Sequence, residues 1–427
     1  MLLNENITLL PESGISVKKR VEEYLAENPS RTLLYLNQSL MNMSLPEEVI
    51  EGMKNAVEET AVPFGTRLSS PWSGYESLKQ AVCRHLEKFN VKIPEGDVYI
   101  TSGLESAYAC LSHLFSAENN VLLTSPCHGH LQELCQCAGR NVSFLRSAPE
   151  NGFAPEPDDT PSDLIYLASP DPVTGAVLTR EKLQKWVSFA NANQAIIFYD
   201  ASLSEYIESE EYPHSIYEIE GAKDCAIQVF SFEKGYGVKE LKIAYVVIPS
   251  GLIRENVRIG DLFAARQPST ATPPSFVMQK AAEILLSPEA AAGTEKLLYR
   301  IKKVARTLSE ALTRAGIAHV GGENSPFLWA QCPEGLNSWQ CFDLLLNEAE
   351  CVVIPGSLYG FGGEGFFRMT SFGLPEEAAE AGEKISKLFL SKKEEKASET
   401  EEETAARLFE EPLVAETDPN AAENTEQ

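Results

Sequence analysis

The chain contains no run of eighteen apolar residues, so a membrane-spanning helix is not expected and no membrane partner is inferred. Its start, Met1-Leu2-Leu3-Asn4-Glu5, lacks the basic opening and long apolar stretch of a secretory signal, and the expected location is cytoplasmic. Positive charge is scarce: 36 Lys and Arg stand against 62 Asp and Glu, a formal net charge of −26. Nonspecific nucleic-acid binding rests on neutralising phosphates with Lys and Arg, so no nucleic-acid partner is expected. A DNA-binding module of the kind a transcription regulator carries would not fit in the stretch before residue 30.

Regular cysteine spacing is also missing. The nine cysteines are odd in number and irregularly placed, which argues against a disulfide framework and for a reducing compartment. One group is dense: Cys127, His128, His130, Cys135 and Cys137 form C-H-G-H-x4-C-x-C. Soft ligands at such short spacing can hold zinc. The plainer reading is a loop followed by a helix that buries Leu134 and two small thiols, and no metal is expected.

What is present is the make-up of a large globular chain. With 427 residues, 43% hydrophobic and 23% charged, it can hold a sizeable core and two domains. The charge is uneven: residues 394–427 carry twelve acidic and two basic residues with little apolar content, and an acidic disordered tail is expected over 393–427. Apolar spacing predicts helices at 16–28, 47–58 and 76–89. From about residue 97, short apolar runs alternate with helical stretches: strands at 98–101, 121–123, 164–167, 195–199, 225–231 and 241–248, with a helix over 179–192. Such alternation implies an α/β fold with a mainly parallel sheet covered by helices on both faces. Beyond residue 290, a long helix at 295–315, strands near 326–331 and 351–354 and a helix over 375–390 read as a smaller α+β domain. The expected division is an N-terminal segment 1–45 contributing to the small domain, a large domain 46–290 and a small domain 291–392.

Ligands of open α/β sheets bind outside the carboxyl ends of the strands. Gly103, Pro126, Pro170, Asp200 and Lys234 all fall at or just beyond such ends, although they are far apart in sequence. Two of them make a chemical pair. Asp200 closes the strand Ala195-Ile196-Ile197-Phe198-Tyr199, and Lys234 follows Val229-Phe230-Ser231-Phe232-Glu233. A lysine and a carboxylate so placed can grip opposite ends of a pyridoxal ring, the amine forming a Schiff base and the carboxylate holding the ring nitrogen protonated. By contrast, Gly360-Phe361-Gly362-Gly363-Glu364-Gly365 satisfies G-x-G-x-x-G, but Phe366-Phe367-Arg368-Met369-Thr370 continues it as a strand rather than a helix. A dinucleotide fingerprint needs the helix, so this is read as a glycine-rich loop.

Four segments carry a family resemblance over roughly residues 13–390: Thr174-Gly175-Ala176-Val177-Leu178-Thr179, Ser215-Ile216-Tyr217-Glu218-Ile219-Glu220-Gly221-Ala222-Lys223, Ser325-Pro326-Phe327-Leu328-Trp329 and Gly363-Glu364-Gly365-Phe366-Phe367-Arg368. In order and spacing the chain resembles the fold-type I, pyridoxal phosphate-dependent aminotransferases of class I/II, and among them most closely the LL-diaminopimelate aminotransferases. The resemblance implies pyridoxal 5′-phosphate as cofactor, an amino acid and a 2-oxo acid as small-molecule partners, and a homodimer. It implies Lys234 as the catalytic lysine, Asp200 as the ring-nitrogen partner and Arg368 as the fork for the substrate's α-carboxylate, a bidentate task that lysine does poorly. Gly103 and Ser231 match groups that cradle the cofactor phosphate.

The departures from the family pattern cluster around the cofactor. The turn Ser169-Pro170-Asp171-Pro172-Val173-Thr174-Gly175 puts Pro172 where an asparagine would bond the ring's phenolic oxygen, and Leu203 takes the place of a tyrosine. Glu233 replaces a serine before the lysine, Lys242 replaces the phosphate-binding arginine, and Leu104 and Glu105 follow Gly103 in place of a small residue and a lysine. His128 stands for the ring-stacking tyrosine, Ser69 for a tyrosine lent by the second subunit, and Leu36-Asn37-Gln38-Ser39 for a glycine-bearing substrate loop. An aminotransferase with a thinned phosphate site is the leading reading. The alternative is a non-catalytic paralogue that keeps the fold as a binding or regulatory dimer.

Overall fold

The computed structural model describes residues 13–38, 45–61, 71–239 and 241–410, with the side chains of 13–15, 130 and 394–410 left outside the description. After an N-terminal helix, Ser13–Glu27, comes the short strand β1 (Leu34–Tyr35). The strands β2 (Val98–Thr101), β3 (Val121–Ser125), β4 (Val142–Arg146), β5 (Leu164–Ala168), β6 (Ile196–Asp200), β7 (Ala226–Ser231) and β8 (Ala244–Val247) form one seven-stranded sheet. Its order is β2-β8-β7-β6-β5-β3-β4. Pairings from β4 through β7 are all parallel, whereas β8 runs antiparallel to both β7 and β2.

The central strands form where they do because both of their faces are covered. All five residues of β6, Ile-Ile-Phe-Tyr-Asp, are buried, and a run rich in β-branched and aromatic residues suits a strand with no wet face. The helix Arg180–Asn193 that precedes it starts at Thr179, whose Oγ1 accepts from the Lys182 N–H, and ends at Gln194 with a left-handed φ of 56°. Leu183, Trp186, Val187 and Ala190, at helical spacing, form its buried face. The edge strand β4 was not expected from the sequence. Its residues Val142-Ser143-Phe144-Leu145-Arg146 are only half-buried or exposed, so no continuous apolar run marks it.

After a hairpin of β9 (Ile253–Arg254) and β10 (Val257–Arg258), three helices lead to β11 (His319–Gly321), β12 (Phe327–Gln331), β13 (Cys351–Val352), β14 (Ile354–Pro355) and β15 (Phe366–Thr370). The antiparallel order β11-β12-β15-β14 makes a second sheet. The single strand expected at 351–354 is two short ones, β13 and β14, which pair with different partners. Val17 and Val21 of the first helix share a core with Leu308, Leu345 and Phe389, and β1 pairs in parallel with β13. The helix that begins at Pro375 continues to Glu410, into the acidic segment read as a tail. Its Lys-, Glu- and Ala-rich sequence has high helix propensity, which outweighs the low apolar content. Residues 411–427 lie outside the described residues.

Two contacts lock the elements that carry the strand ends. Gly175, at φ +75°, lies where a Cβ would sit 2.5 Å from the Phe327 carbonyl and 3.0 Å from Gly321 Cα, so only glycine lets the 169–175 turn meet the second sheet. Gly175→Ala is expected to cost about 2–4 kcal/mol in urea unfolding, whereas Gly96→Ala should stay within about 0.5 kcal/mol. At Gly96 a Cβ would meet nothing within 4 Å. The second lock is His85 Nε2, 2.7 Å from Glu205 in the turn that follows Asp200. Burial pushes the Glu205 carboxyl up, but the His85 charge and hydrogen bond outweigh it and leave the group below its ordinary 4.5. A depressed carboxylate adds stability that is complete above the unfolded value of 4.5 and is lost as pH falls through the lower folded value. Glu205→Gln should therefore flatten the acid side of a melting-temperature profile.

Candidate active site

Parallel pairing of β6 with β7 sets Asp200 opposite Val229, so both strands end at the same edge of the sheet. One small residue ties these ends together. The Ser202 N–H donates to Asp200 Oδ1 at 2.8 Å, and Ser202 Oγ accepts from the Ser231 N–H at 2.9 Å. Ser231 Oγ accepts in turn from the Lys234 N–H at 3.4 Å and caps the four-residue helix Phe232–Gly235. Tyr206 Oη donates to the Lys234 carbonyl at 3.3 Å. The lysine backbone is held from two sides. Its side chain is half-buried, and its Nζ makes no hydrogen bond among the described residues.

Asp200 faces a cavity that it lines together with Tyr108, His128, Tyr166 and Pro172. Burial, followed by the Asp200 charge, pushes the Tyr108 phenol well above its ordinary value. His128 stands at the start of the helix Gly129–Cys137, its ring edge-on to Tyr359 at 5.5 Å. Pro172 contributes no donor to this space. Leu203 is buried.

Arg368 reaches the same region from the second sheet. It lies on β15 between Trp329 and Ile354, buried, with its guanidinium carbon 3.9 Å from the Phe327 ring centroid. Its Nη1 donates to Tyr359 Oη, while Nε is buried and has no hydrogen-bond partner among the described residues. A buried donor left over beside a fixed guanidinium suits an incoming carboxylate. Asp171, on the turn after β5, accepts from the Val173 and Thr174 N–H groups and from Thr174 Oγ1. Burial pushes its carboxyl up, against those hydrogen bonds and the Arg368 charge.

At the other end of the site, Gly103 opens the helix Leu104–Ser112 at φ +96°. A Cβ there would lie 3.3 Å from Glu105 Oε2 and 3.9 Å from Lys242 Cα. Lys242 Nζ sits 2.7 Å from Glu233 Oε2, and Glu233 is only 7% exposed. Glu105 and the Lys242 backbone therefore border the helix N-terminus, and the Lys242 ammonium is paired with Glu233. Ser39 and Ser69 lie outside the described residues, so the substrate loop is described only through Leu36, Asn37 and Gln38.

The sequence-predicted residues Lys234, Asp200, Ser231, Gly103, Lys242, His128 and Arg368 fall into these neighbouring groups. Three residues that the sequence did not single out are Ser202, Tyr108 and Tyr359. Only Ser202, two residues after the aspartate, carried a local cue. Tyr108 and Tyr359 are recruited by packing, which one sequence does not display. In the Cys/His group Cys127 and Cys135 are buried and Cys137 is half-buried, with burial pushing Cys127 up to about 12. Among the described residues no cluster of three His, Cys, Asp or Glu could hold a metal, and the His130 side chain is outside them. The glycine-rich loop is explained by close approach: a Cβ at Gly363 would lie 2.0 Å from the Gly356 carbonyl, and one at Gly362 2.6 Å from that of Ser125.

A lysine turn and a carboxylate at one sheet edge, faced by an arginine from a second sheet, define a fold-type I transferase architecture. The family described as Aminotransferase class I and II matches residues 33–385. An LL-diaminopimelate aminotransferase of Lachnospira eligens is 33% identical over 402 residues, covering 90% of this chain and 99% of that relative. One of Methanosphaera stadtmanae is 32% identical over 405 residues, covering 90% and 98%. The solved L,L-diaminopimelate aminotransferase from Chlamydomonas reinhardtii superimposes with a TM-score of 0.85 at 25% identity, covering 91% of this chain and 99% of that one. The chain belongs to the class I and II aminotransferases. It is an enzyme that moves an amino group between an amino acid and a 2-oxo acid, with pyridoxal 5′-phosphate as its cofactor.

Tyr359→Phe keeps the ring beside Trp329 and removes only the hydroxyl that holds Arg368. A misaligned fork binds the substrate carboxylate less well, so KM for the amino acid should rise about tenfold while cofactor absorbance stays unchanged.

Proposed function

We propose that this chain is an aminotransferase whose donor belongs to the diaminopimelate type, with Lys234, Asp200 and Arg368 in the three chemical roles. The observation that carries the roles is the convergence of Asp200 and the Lys234 turn at adjacent parallel strand ends, tied through Ser202. Bound there, pyridoxal 5′-phosphate supplies an electron sink for the substrate's α-carbon. Lys234 Nζ takes the proton from that carbon and returns it on the far side of the transfer. Asp200 would keep the proton on the ring nitrogen, its carboxylate held by the Ser202 N–H in a cavity that Tyr108 also lines. Arg368 binds the α-carboxylate through the donors that Tyr359 leaves over. His128 would face the ring, and Gly103 and Ser231 would address the phosphate end, where Lys242 is shared with Glu233.

The donor assignment rests on relatives named for LL-diaminopimelate, of which the chain covers nearly the whole length. We further propose a cytoplasmic homodimer built from a large domain of 46–290 and a small one of 291–392 to which the segment 1–45 contributes. The nine cysteines are all free thiols, which suits a reducing compartment. Light scattering should return twice the 47.0 kDa chain mass. A monomer at micromolar concentration would remove the dimer from the account.

The test of function is a donor panel followed by the cofactor's visible spectrum. LL-diaminopimelate should convert the lysine-bound colour to the amino form faster than monocarboxylic amino acids of similar length. Lys234→Ala should slow conversion by about 10²–10⁴-fold, the usual worth of a positioned proton carrier. If no donor changes the spectrum, or Lys234→Ala turns over as wild type does, the proposed roles fall.

A further inference from the structure

We infer that Glu233 is a specificity-determining residue at the phosphate end, and that it leaves this chain with little preference for the phosphorylated cofactor over unphosphorylated pyridoxal. The inference rests on the site reading above and extends it to the 5′ substituent. Glu233 directly precedes Lys234, is 7% exposed, and places Oε2 2.7 Å from Lys242 Nζ. Lys242 follows the catalytic lysine by eight residues and is half-exposed, so its ammonium is drawn to a carboxylate rather than held for a ligand anion. The second carboxylate comes from another element: Glu105, in the first turn of the helix Leu104–Ser112, brings Oε2 to within 3.3 Å of a Gly103 Cβ position. Lys242 Cα lies 3.9 Å from that same position, so the residue that pairs with Glu233 and the residue that carries the second acid meet at the same glycine.

Helix N-termini and backbone N–H groups favour anions, and this one begins at a glycine suited to close approach. Here the favourable dipole meets the carboxylate of an exposed Glu105 and an ammonium already drawn to the buried Glu233. Ser231 Oγ accepts from the Lys234 N–H, although its own proton remains available. A dianion seated at this helix start is repelled by Glu105 and Glu233, and the Lys242 ammonium it meets among the described residues is already shared with Glu233. A neutral 5′-hydroxymethyl group meets no such repulsion, and the hydroxyl can donate to either carboxylate. Lys234, Asp200 and the ring pocket do not depend on that end of the cofactor. Grip through the ring and loss of grip through the phosphate are therefore separable.

The test titrates wild type, Glu233→Ser and Glu233→Gln with pyridoxal 5′-phosphate and with pyridoxal. Binding is followed by the visible absorbance of the lysine-bound form, and each complex is then reduced with borohydride and its mass measured. Wild type should prefer the phosphorylated form by less than about tenfold, and both variants should raise that preference by about tenfold or more. The gain should come from tighter phosphate-form binding, with pyridoxal affinity changed less than about threefold. Glu233→Gln keeps the side-chain volume, so it answers for the case in which the serine variant does not fold. A wild-type preference above about a hundredfold, or an unchanged preference in the folded variants, overturns the inference while leaving Lys234 in its role. If neither form is trapped on Lys234 in any of the three proteins, the site reading falls and this inference with it.

Discussion

The parallel pairing of β6 with β5 and β7 is the constraint on which the site depends. It gives two chain segments thirty-odd residues apart a common carboxyl edge, so that an aspartate ending one strand and a lysine turn leaving the next face one space. The strands are buried throughout, and a shift in register would mispack their apolar side chains and move Asp200 away from the turn. Ser202 refines what the pairing provides. Its N–H fixes the carboxylate and its hydroxyl receives the Ser231 N–H, so the two strand ends cannot part without breaking hydrogen bonds inside the protein.

The second sheet completes the site through contacts that tolerate no extra atom. Gly175 and Gly321 close on the Phe327 carbonyl, and Gly363 closes on Gly356. These approaches bring β15 and the turn after β5 together, which is why the buried Arg368 and the buried Asp171 feel one another's charge. Tyr359 joins the two parts of the site: its hydroxyl takes one donor of Arg368 and its ring meets His128 edge-on. The substrate end and the ring end of the site are thus mechanically connected, whereas the phosphate end is built from different elements and has followed a different course.

Most of the fold was legible because its signals are local. Buried runs such as Ile196–Tyr199 and the capped helix Arg180–Asn193 announce themselves by composition and spacing. The half-buried β4 and the split pair β13 and β14 did not, since their pairing partners decide them. The helix that runs to Glu410 was hidden for the opposite reason: acidic composition masks its helix propensity. In the candidate site, the placing of Asp200 and Lys234 at neighbouring strand ends was readable from strand ends, and that of Arg368 on a later strand from family spacing. Tyr108 and Tyr359 were not, because a buried tyrosine in a helix or loop looks the same whether it packs or holds a charge. The Glu233–Lys242 contact was foreshadowed only as two unusual substitutions, and the distance between them turns those into one interaction.

The central claim is that one lysine carries the cofactor opposite one aspartate. It is tested most directly by loading the protein with pyridoxal 5′-phosphate, reducing with borohydride and mapping the modified peptide by mass spectrometry. The account predicts a single pyridoxyl adduct on Lys234, with Asp200→Asn still trapping at that position but binding more weakly. An adduct on Lys242 or another lysine in place of Lys234, or none at all, would contradict it.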